Sequence, residues 1–302
     1  MGIAYISYNQ LIEDIKNNLW KIPRDIDLVL AVPRSGYIIA SIVTKFLNVN
    51  LMPIQDFCTL IESGVTEEDL HKHCYKGRAI IKKRTFNRIL VVDDTIYSGG
   101  QLNIWKKRFE QECYKDFNFR FMTAYKEWNV APDVYLRDVS ALANNSPFKS
   151  VIYEWTLFYR YDLNRYIAWD LDGVFCIDPP SDENTEEYEA YIKNAIPLYQ
   201  PLTDTNHLTT VITYRINKYR DITSQWLVDH NICCNLIMVN AQSREERAKL
   251  VTPWYYKAAM YQSMPNLYLY VESNDYEAQM IHQLCGKPVL CITTNKLYQK
   301  EN

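Results

Sequence analysis

The segment 89–100, ILVVDDTIYSGG, constrains the fold of this chain more than any other stretch. An apolar run typical of a buried strand leads into the carboxylates of Asp93 and Asp94 and then into a turn with Gly99 and Gly100. Glycine lets backbone N–H groups approach an anion closely, and the start of the following helix is the positive end of its dipole. The segment therefore predicts a strand, a phosphate-binding turn and a helix in succession.

The polar side chains of this segment suit a sugar phosphate. Thr95 and Ser98 place hydroxyl groups beside the predicted phosphate, and Asp93 and Asp94 can each accept a hydrogen bond from a sugar hydroxyl. For a bare pair of acids, the alternative is a helix cap. The full pattern resembles, position by position, the motif with which type I phosphoribosyltransferases bind 5-phosphoribosyl 1-pyrophosphate (PRPP).

A second strand–turn–helix pattern, LAVPRSGYIIA (30–40), precedes the first and resembles the pyrophosphate loop of the same family. The resemblance implies that Arg34, Ser35 and Gly36 hold the pyrophosphate through backbone amides and the guanidinium group. It also implies that Mg²⁺ bridges oxygens of PRPP, that pyrophosphate leaves C1 of the ribose, and that an acceptor captures the ribosyl cation.

Two further parts of the first half are expected from that resemblance. A flexible loop within 58–87 should cover PRPP with a basic residue. The candidates for that residue are Lys76, Arg78, Lys82, Lys83 and Arg84. The aromatic-rich stretch 126–165 is expected to form a small hood, with YEWTLFYR (153–160) as a wall of the acceptor pocket.

The segment YIAWDLDGVF (166–175) predicts a different chemistry in the second half. Asp170 and Asp172 follow a strand, where one carboxylate can attack phosphorus while the other exchanges a proton with the leaving oxygen. Such a pair alone is also common in purely structural positions. Thr213 at the end of a later strand and Lys257 beyond it follow in order along the chain.

An acidic cluster at 272–275 completes an order of four motifs that resembles the haloacid dehalogenase superfamily of phosphohydrolases. By that resemblance Asp170 is the nucleophile and Asp172 the general acid/base. Thr213 and Lys257 would bind the phosphoryl oxygens. The implied Mg²⁺ ligands are Asp170, Asp172, Glu272 and Asp275, with Asn274 as the alternative to Asp275. The acidic segment 181–194 is expected to act as a small cap over this site.

Apolar runs of strand length alternate with helical periodicity in both halves, which predicts an α/β protein. A chain of 302 residues is long enough for two separate cores. We expect two Rossmann-like domains, each a mostly parallel sheet flanked by helices. The first, over 1–162, would have the phosphoribosyltransferase fold with its hood, and the second, over 163–302, a haloacid dehalogenase-like fold with a small cap.

Composition excludes several classes of protein. The net charge is −3 and no long basic run is present, which argues against a nucleic-acid partner. No apolar run approaches the roughly 18 residues of a membrane span, and the first residues lack the pattern of a signal peptide. Eight scattered cysteines without metal-like pairs indicate reduced thiols. We therefore expect a cytoplasmic protein, and a homodimer is compatible with these features.

Together the two motif sets predict a bifunctional enzyme. It would transfer 5-phosphoribose from PRPP to an acceptor and then hydrolyse the 5-phosphate. The favoured acceptor is a sugar or glycolipid, which would give a ribofuranosyl unit for polysaccharide biosynthesis. One alternative is a nucleobase phosphoribosyltransferase coupled to a nucleotide phosphatase, and another is a non-catalytic regulator that binds PRPP.

Overall fold

The computed structural model describes residues 2–73, 86–96, 98–179 and 186–300. The chain forms two compact units, whose boundaries differ from the predicted one at residue 162. The first unit is Ile6–Asn144, and the second combines the residues up to Tyr5 with those from Asn145 onward. Both units are built on sheets of mainly parallel strands flanked by helices, so the predicted α/β class is confirmed. None of the helices in the described ranges is long and apolar enough to cross a bilayer.

The first unit contains a sheet that is parallel throughout. The strands up to residue 138 are β1 (Tyr5–Ile6), β2 (Leu28–Ala31), β3 (Asn50–Pro53), β4 (Arg88–Ile96), β5 (Asn118–Lys126) and β6 (Val134–Asp138). The helices are α1 (Tyr8–Asn17), α2 (Gly36–Leu47), α3 (Ile54–Glu62), α4 (Glu67–His73), α5 (Gly100–Arg108) and α6 (Ser140–Asn145). Five strands pair in the order β3-β2-β4-β5-β6.

The stretch predicted as a hood does not form one structural piece. Within it, β6 is the edge strand of the first sheet. Residues 153–160 belong to the second unit, where Tyr153, Trp155 and Leu157 are buried. The prediction that 153–160 lines an acceptor pocket is therefore wrong, because these side chains fill a core. The five basic residues expected to close over PRPP lie outside the described residues.

The second unit contains a six-stranded sheet. The strands of this sheet are β8 (Ile167–Trp169), β9 (Thr209–Ile216), β10 (Cys234–Val239), β11 (Leu269–Glu272), β12 (Val289–Cys291) and β13 (Lys296–Tyr298). The short strand β7 (Ile152–Tyr153) lies outside it and pairs with β1. The helices are α7 (Glu186–Asn194), α8 (Arg220–Asp229), α9 (Arg244–Leu250), α10 (Pro253–Ser263) and α11 (Asp275–Cys285). The sheet order is β10-β9-β8-β11-β12-β13, and only β13 runs antiparallel to its neighbour.

Two segments outside the predicted domain at 163–302 complete the second unit. The Ile152 N–H donates to the Ala4 carbonyl oxygen at 2.8 Å. The side chains of Ile3, Ile152 and Leu157 belong to the same core cluster as Trp169. In the expected cap, α7 buries Tyr188 and Ile192 in that core, while residues 180–185 lie outside the described ranges. The amino-terminal residues are thus part of the fold that follows residue 144.

The strand order reverses once in each sheet. In the first unit the chain leaves β2 for β3 on one side and then returns to β4 on the other side of β2. In the second unit β9 and β10 lie on one side of β8, and β11 lies on the other. In open α/β sheets ligands bind beyond the carboxyl ends of the strands at such a reversal. The fold therefore marks two positions for functional sites, beside β2 and β4 and beside β8 and β11.

Candidate functional site

The two predicted PRPP motifs meet at the reversal point of the first sheet. Strands β2 and β4 are hydrogen-bonded neighbours, and the Val32 N–H donates to the Val92 carbonyl oxygen at 2.9 Å. A Cβ added to Gly36 would lie 2.7 Å from that same oxygen and 3.2 Å from Oδ1 of Asp93. Glycine at position 36 therefore lets the start of α2 approach the end of β4 more closely than any other residue would.

The acids of the PRPP motif lie within β4 rather than after it. The strand continues to Ile96 and pairs with β5 along this length. The Asp94 N–H donates to Oδ1 of Asp93 at 2.9 Å, and the Thr95 N–H donates to Oδ1 of Asp94 at 2.8 Å. Burial and then the negative charge of Asp94 raise the pKa of Asp93 to about 8. A carboxyl with a pKa raised in this way can donate a hydrogen bond as well as accept one, and sugar hydroxyls can form both kinds of bond.

The turn after β4 begins the second helix at this site. Gly99 adopts a positive φ of 77°, and α5 starts at Gly100. Ser98 is exposed in this turn, and its Oγ accepts a long hydrogen bond of 3.4 Å from the Gly100 N–H. In the other turn Arg34 is exposed and Ser35 is half-buried at the start of α2. The amino ends of α2 and α5 both follow the strand ends that carry the motifs, an arrangement that favours anions.

In the second unit Lys257 joins three of the acidic side chains at the reversal point. It lies on α10 and is 4% exposed. Its Nζ donates to Oδ2 of Asp170, Oε2 of Glu272 and Oε2 of Glu277, each at 2.8 Å. Burial alone would lower the pKa of Lys257, but the charges of Asp170 and Glu272 raise it well above its usual value. The lysine is therefore a cation, and it neutralises part of a strongly acidic buried cluster.

Asp170 is positioned by both strands of the reversal point. It follows β8, its N–H donates to the Val271 carbonyl oxygen of β11 at 2.9 Å, and its Oδ1 accepts from the Leu171 N–H at 2.9 Å. Burial and then the neighbouring Glu272 carboxylate raise the pKa of Asp170, while Lys257 opposes this shift. The carboxylate is thus rigidly held, and its charge depends on the lysine.

Asp172 is held by a separate set of partners. Arg215 donates from Nε to Oδ2 at 3.0 Å and from Nη2 to Oδ1 at 2.5 Å, and the Tyr191 hydroxyl donates to Oδ1 at 2.8 Å. Burial raises the pKa of Asp172, but Arg215 and these hydrogen bonds lower it below its usual value overall. Arg215 itself is only 2% exposed. Asp172 is therefore a half-buried carboxylate in an ion pair with two parallel hydrogen bonds.

A cavity of about 670 Å³ opens over this site. The predicted residues in its lining are Asp170, Asp172, Thr213, Lys257 and Glu272. The charged lining residues that sequence reasoning missed are Asp178 and Glu277. Arg215 also lines the cavity, as its position two residues after Thr213 suggests, since residues two apart on a strand face the same side of the sheet. Its alternative interpretation, a surface salt bridge, does not fit a side chain that is 2% exposed.

The four predicted Mg²⁺ ligands do not form a ligand set. Asp275 is not part of the cavity lining, and its Oδ1 accepts from the Thr294 Oγ1 at 2.8 Å instead. Both oxygens of Asp172 accept from Arg215, while Asp170 and Glu272 each give one oxygen to Lys257. In the described part of the chain no three His, Cys, Asp or Glu side chains are gathered for a metal ion. The assignment of Asp275 as a ligand therefore stays a prediction, and no step of the reaction is assigned to a metal at this site.

Comparisons with known proteins give only distant relatives. No family model matches the chain. No curated protein matches it either. Among solved structures, the xanthine-guanine-hypoxanthine phosphoribosyltransferase of Helicobacter pylori is 14% identical, with 52% of this chain and 93% of that chain covered and a TM-score of 0.34.

Two more solved structures are similar at the same level. A purine phosphoribosyltransferase from Pyrococcus horikoshii is 17% identical, covers 51% of this chain and 94% of its own, and has a TM-score of 0.33. A hypothetical protein from Neisseria gonorrhoeae with bound ppGpp is 15% identical, covers 51% and 90%, and has a TM-score of 0.32. Scores of this size establish neither a shared fold nor an activity.

Proposed function

We propose that the chain is a bifunctional enzyme, with phosphoribosyl transfer from PRPP in the first unit and phosphate-ester hydrolysis in the second. The observation that carries the proposal is the position of the motifs. Each set of residues lies at the single point where the strand order of its sheet reverses. In the second unit a buried carboxylate, a buried lysine and a cavity coincide there.

The first unit supplies groups for both ends of PRPP. The backbone amides of Ser98 to Gly100 and the start of α5 bind the 5-phosphate. The hydroxyls of the ribose bond to the carboxyls of Asp93 and Asp94. The turn at Arg34, Ser35 and Gly36 binds the pyrophosphate and neutralises its charge as it leaves C1.

The acceptor class that we propose for the ribosyl group differs from the one that the sequence favours. An aromatic hood over the first sheet would be compatible with a glycan acceptor, but Tyr153, Trp155 and Leu157 of the predicted hood are buried in the second unit. We therefore propose a nucleobase as the first acceptor class, so that the second unit would act on a nucleotide. A sugar or glycolipid is the alternative that the same assay tests.

The second unit performs the hydrolysis through Asp170. Its carboxylate attacks the phosphorus of the ester while Thr213 and Lys257 bind the phosphoryl oxygens. Lys257 offsets the added negative charge, since its ammonium group lies 2.8 Å from Oδ2 of Asp170. Water then hydrolyses the aspartyl phosphate and regenerates the carboxylate.

The test follows two products in one reaction mixture. The chain is incubated with PRPP and MgCl₂ and with nucleobases, sugars or polyprenyl-linked glycans, and pyrophosphate and phosphate are measured separately. We expect pyrophosphate release that depends on a nucleobase. The rate of this release should be at least ~100-fold lower in the Asp94→Asn variant. Pyrophosphate release with glycans and not with nucleobases would mean that the acceptor is a glycan instead of a nucleobase. Tight PRPP binding without release of pyrophosphate under any condition would contradict the transferase proposal.

A further inference from the structure

The proposed hydrolysis requires a group that gives a proton to the departing oxygen, and the surroundings of Asp172 oppose that role. Both of its oxygens accept from Arg215, at 3.0 and 2.5 Å, and Tyr191 adds a third hydrogen bond at 2.8 Å. A proton on Asp172 would displace one of these donors. It would also leave the buried guanidinium of Arg215 without its counter-charge, which is costly inside a protein.

Asp178 is placed for this role. It lines the same cavity as Asp170. Its Oδ1 lies 3.2 Å from the position that a Cβ on Gly173 would occupy, so the carboxyl turns back over the segment that carries Asp170 and Asp172. Among the residues that the structure describes, none donates a hydrogen bond to this carboxyl. Asp178 is also exposed, which leaves it free to exchange protons with water.

We propose that Asp178, rather than Asp172, exchanges the proton in the second unit, and that Asp172 positions Arg215 in the cavity. The inference rests on the phosphate-ester hydrolysis proposed above. In the first step an Asp170 oxygen forms a bond to phosphorus, the bond from phosphorus to the ester oxygen breaks, and that oxygen takes the proton of Asp178. In the second step water attacks the aspartyl phosphate, gives a proton back to the Asp178 carboxylate, and releases Asp170.

The charges around the cavity act on Asp178 in the direction that a proton donor needs. The charged groups that line it are Asp170, Asp172, Arg215, Lys257, Glu272 and Glu277. Partial burial of the carboxyl and then the carboxylates of Asp172 and Glu272 raise the pKa of Asp178, while Lys257 lowers it. A raised pKa brings a carboxyl closer to the range in which it can give and take back a proton.

The test compares two phosphate esters that differ in their need for a proton. An alkyl ester such as ribose 5-phosphate leaves as an alkoxide unless it is protonated, whereas the nitrophenolate of p-nitrophenyl phosphate departs unaided. We expect Asp178→Asn to lower kcat for ribose 5-phosphate by ~100-fold or more and for p-nitrophenyl phosphate by less than ~10-fold. The fall of kcat at high pH with ribose 5-phosphate should disappear in this variant.

Two further variants complete the design. Asp172→Asn should slow both esters by similar factors, because it disturbs Arg215 rather than proton transfer. Asp229→Asn, an exposed acid on α8 bonded to Gln225, is the matched control and should change neither rate. The inference is overturned if Asp178→Asn slows the two esters equally or not at all, or if Asp172→Asn alone shows the ester-selective loss. A wild-type chain that hydrolyses neither ester would instead overturn the phosphohydrolase proposal, and this inference with it.

Discussion

Replacement of Lys257 by Met should destabilise the second unit in a way that depends on pH. The ammonium group lies 2.8 Å from three carboxylates, of which Asp170 and Glu272 are 5% and 1% exposed. Removing one partner of a buried ion pair costs about 3–5 kcal/mol, because a charge remains buried without compensation. Methionine is close to lysine in length and apolar, so packing adds little to this loss.

The stability loss of Lys257→Met should depend on pH because the carboxylates around Lys257 can be protonated. Burial and the Glu272 carboxylate already raise the pKa of Asp170, and without Lys257, which opposes this shift, it rises further above the unfolded value of about 4. The loss of stability should therefore be small near pH 4 and grow as the pH rises above that value. Protonation at low pH removes the uncompensated charge. The stability that Lys257→Met loses relative to the wild-type chain should therefore be smallest at low pH.

The assay is calorimetric unfolding of the full chain at pH 5 and pH 8, with hydrogen exchange in β8 and β11 assigning the transition to the second unit. Lys287→Met is the matched control, because Lys287 donates to the carbonyl oxygens of Tyr261 and Met264 and forms no ion pair with any residue that the structure describes. Its loss is measured at pH 5 and pH 7, below the pKa of about 8 to which burial lowers this lysine, and should be the same at both values. An equal loss at pH 5 and pH 8 for Lys257→Met, or no loss, would refute the reasoning.

Three further variants test other parts of the structure. Gly36→Ala places a Cβ 2.7 Å from the Val92 carbonyl oxygen, so we expect about 1–3 kcal/mol of destabilisation, seen as faster hydrogen exchange in α2 and β4. Asp93→Asn should leave the stability of the first unit unchanged below about pH 4 and raise it at pH 9, because a pKa raised to about 8 makes folding of the wild-type chain less favourable as pH rises through this range. Arg215→Lys keeps the charge opposite Asp172 but loses the two parallel hydrogen bonds, and the melting temperature of the second unit should fall by an amount that corresponds to about 1–3 kcal/mol. An unchanged exchange rate would contradict the expectation for Gly36→Ala, and an equal effect at both pH values would contradict that for Asp93→Asn. An unchanged melting temperature would contradict that for Arg215→Lys.

Much of the strand framework follows from the sequence, because apolar runs and glycine turns are local signals. The runs at 89–92 and 167–169 lie in β4 and β8, with Asp93 and Asp94 inside β4 and Asp170 just beyond β8. Their placement beside β2 and β11 follows from parallel pairing, which gathers carboxyl ends at one edge of a sheet. The general location of both candidate sites could therefore be predicted.

The parts that could not be predicted depend on tertiary packing. Residues 145–162 combine turns, a two-residue strand and short 3-10 helices, which have no strand or helix periodicity, and their membership of the second unit depends on burial against a distant core. Asp275 is next to the predicted motif in sequence, but as the first residue of α11 it bonds to Thr294. Asp178 follows the motif through a turn whose path the sequence does not specify.

The central claim is that one chain carries two independent reactions at two sites. With the acceptor identified in the panel assay, the time courses of pyrophosphate and phosphate release are recorded for the wild-type chain and for Asp170→Asn. We expect the variant to keep pyrophosphate release within about twofold and to lose phosphate release, because Asp170 lies in the second unit and the PRPP motifs lie in the first. Loss of both products together in a chain that remains folded would contradict the division into two sites.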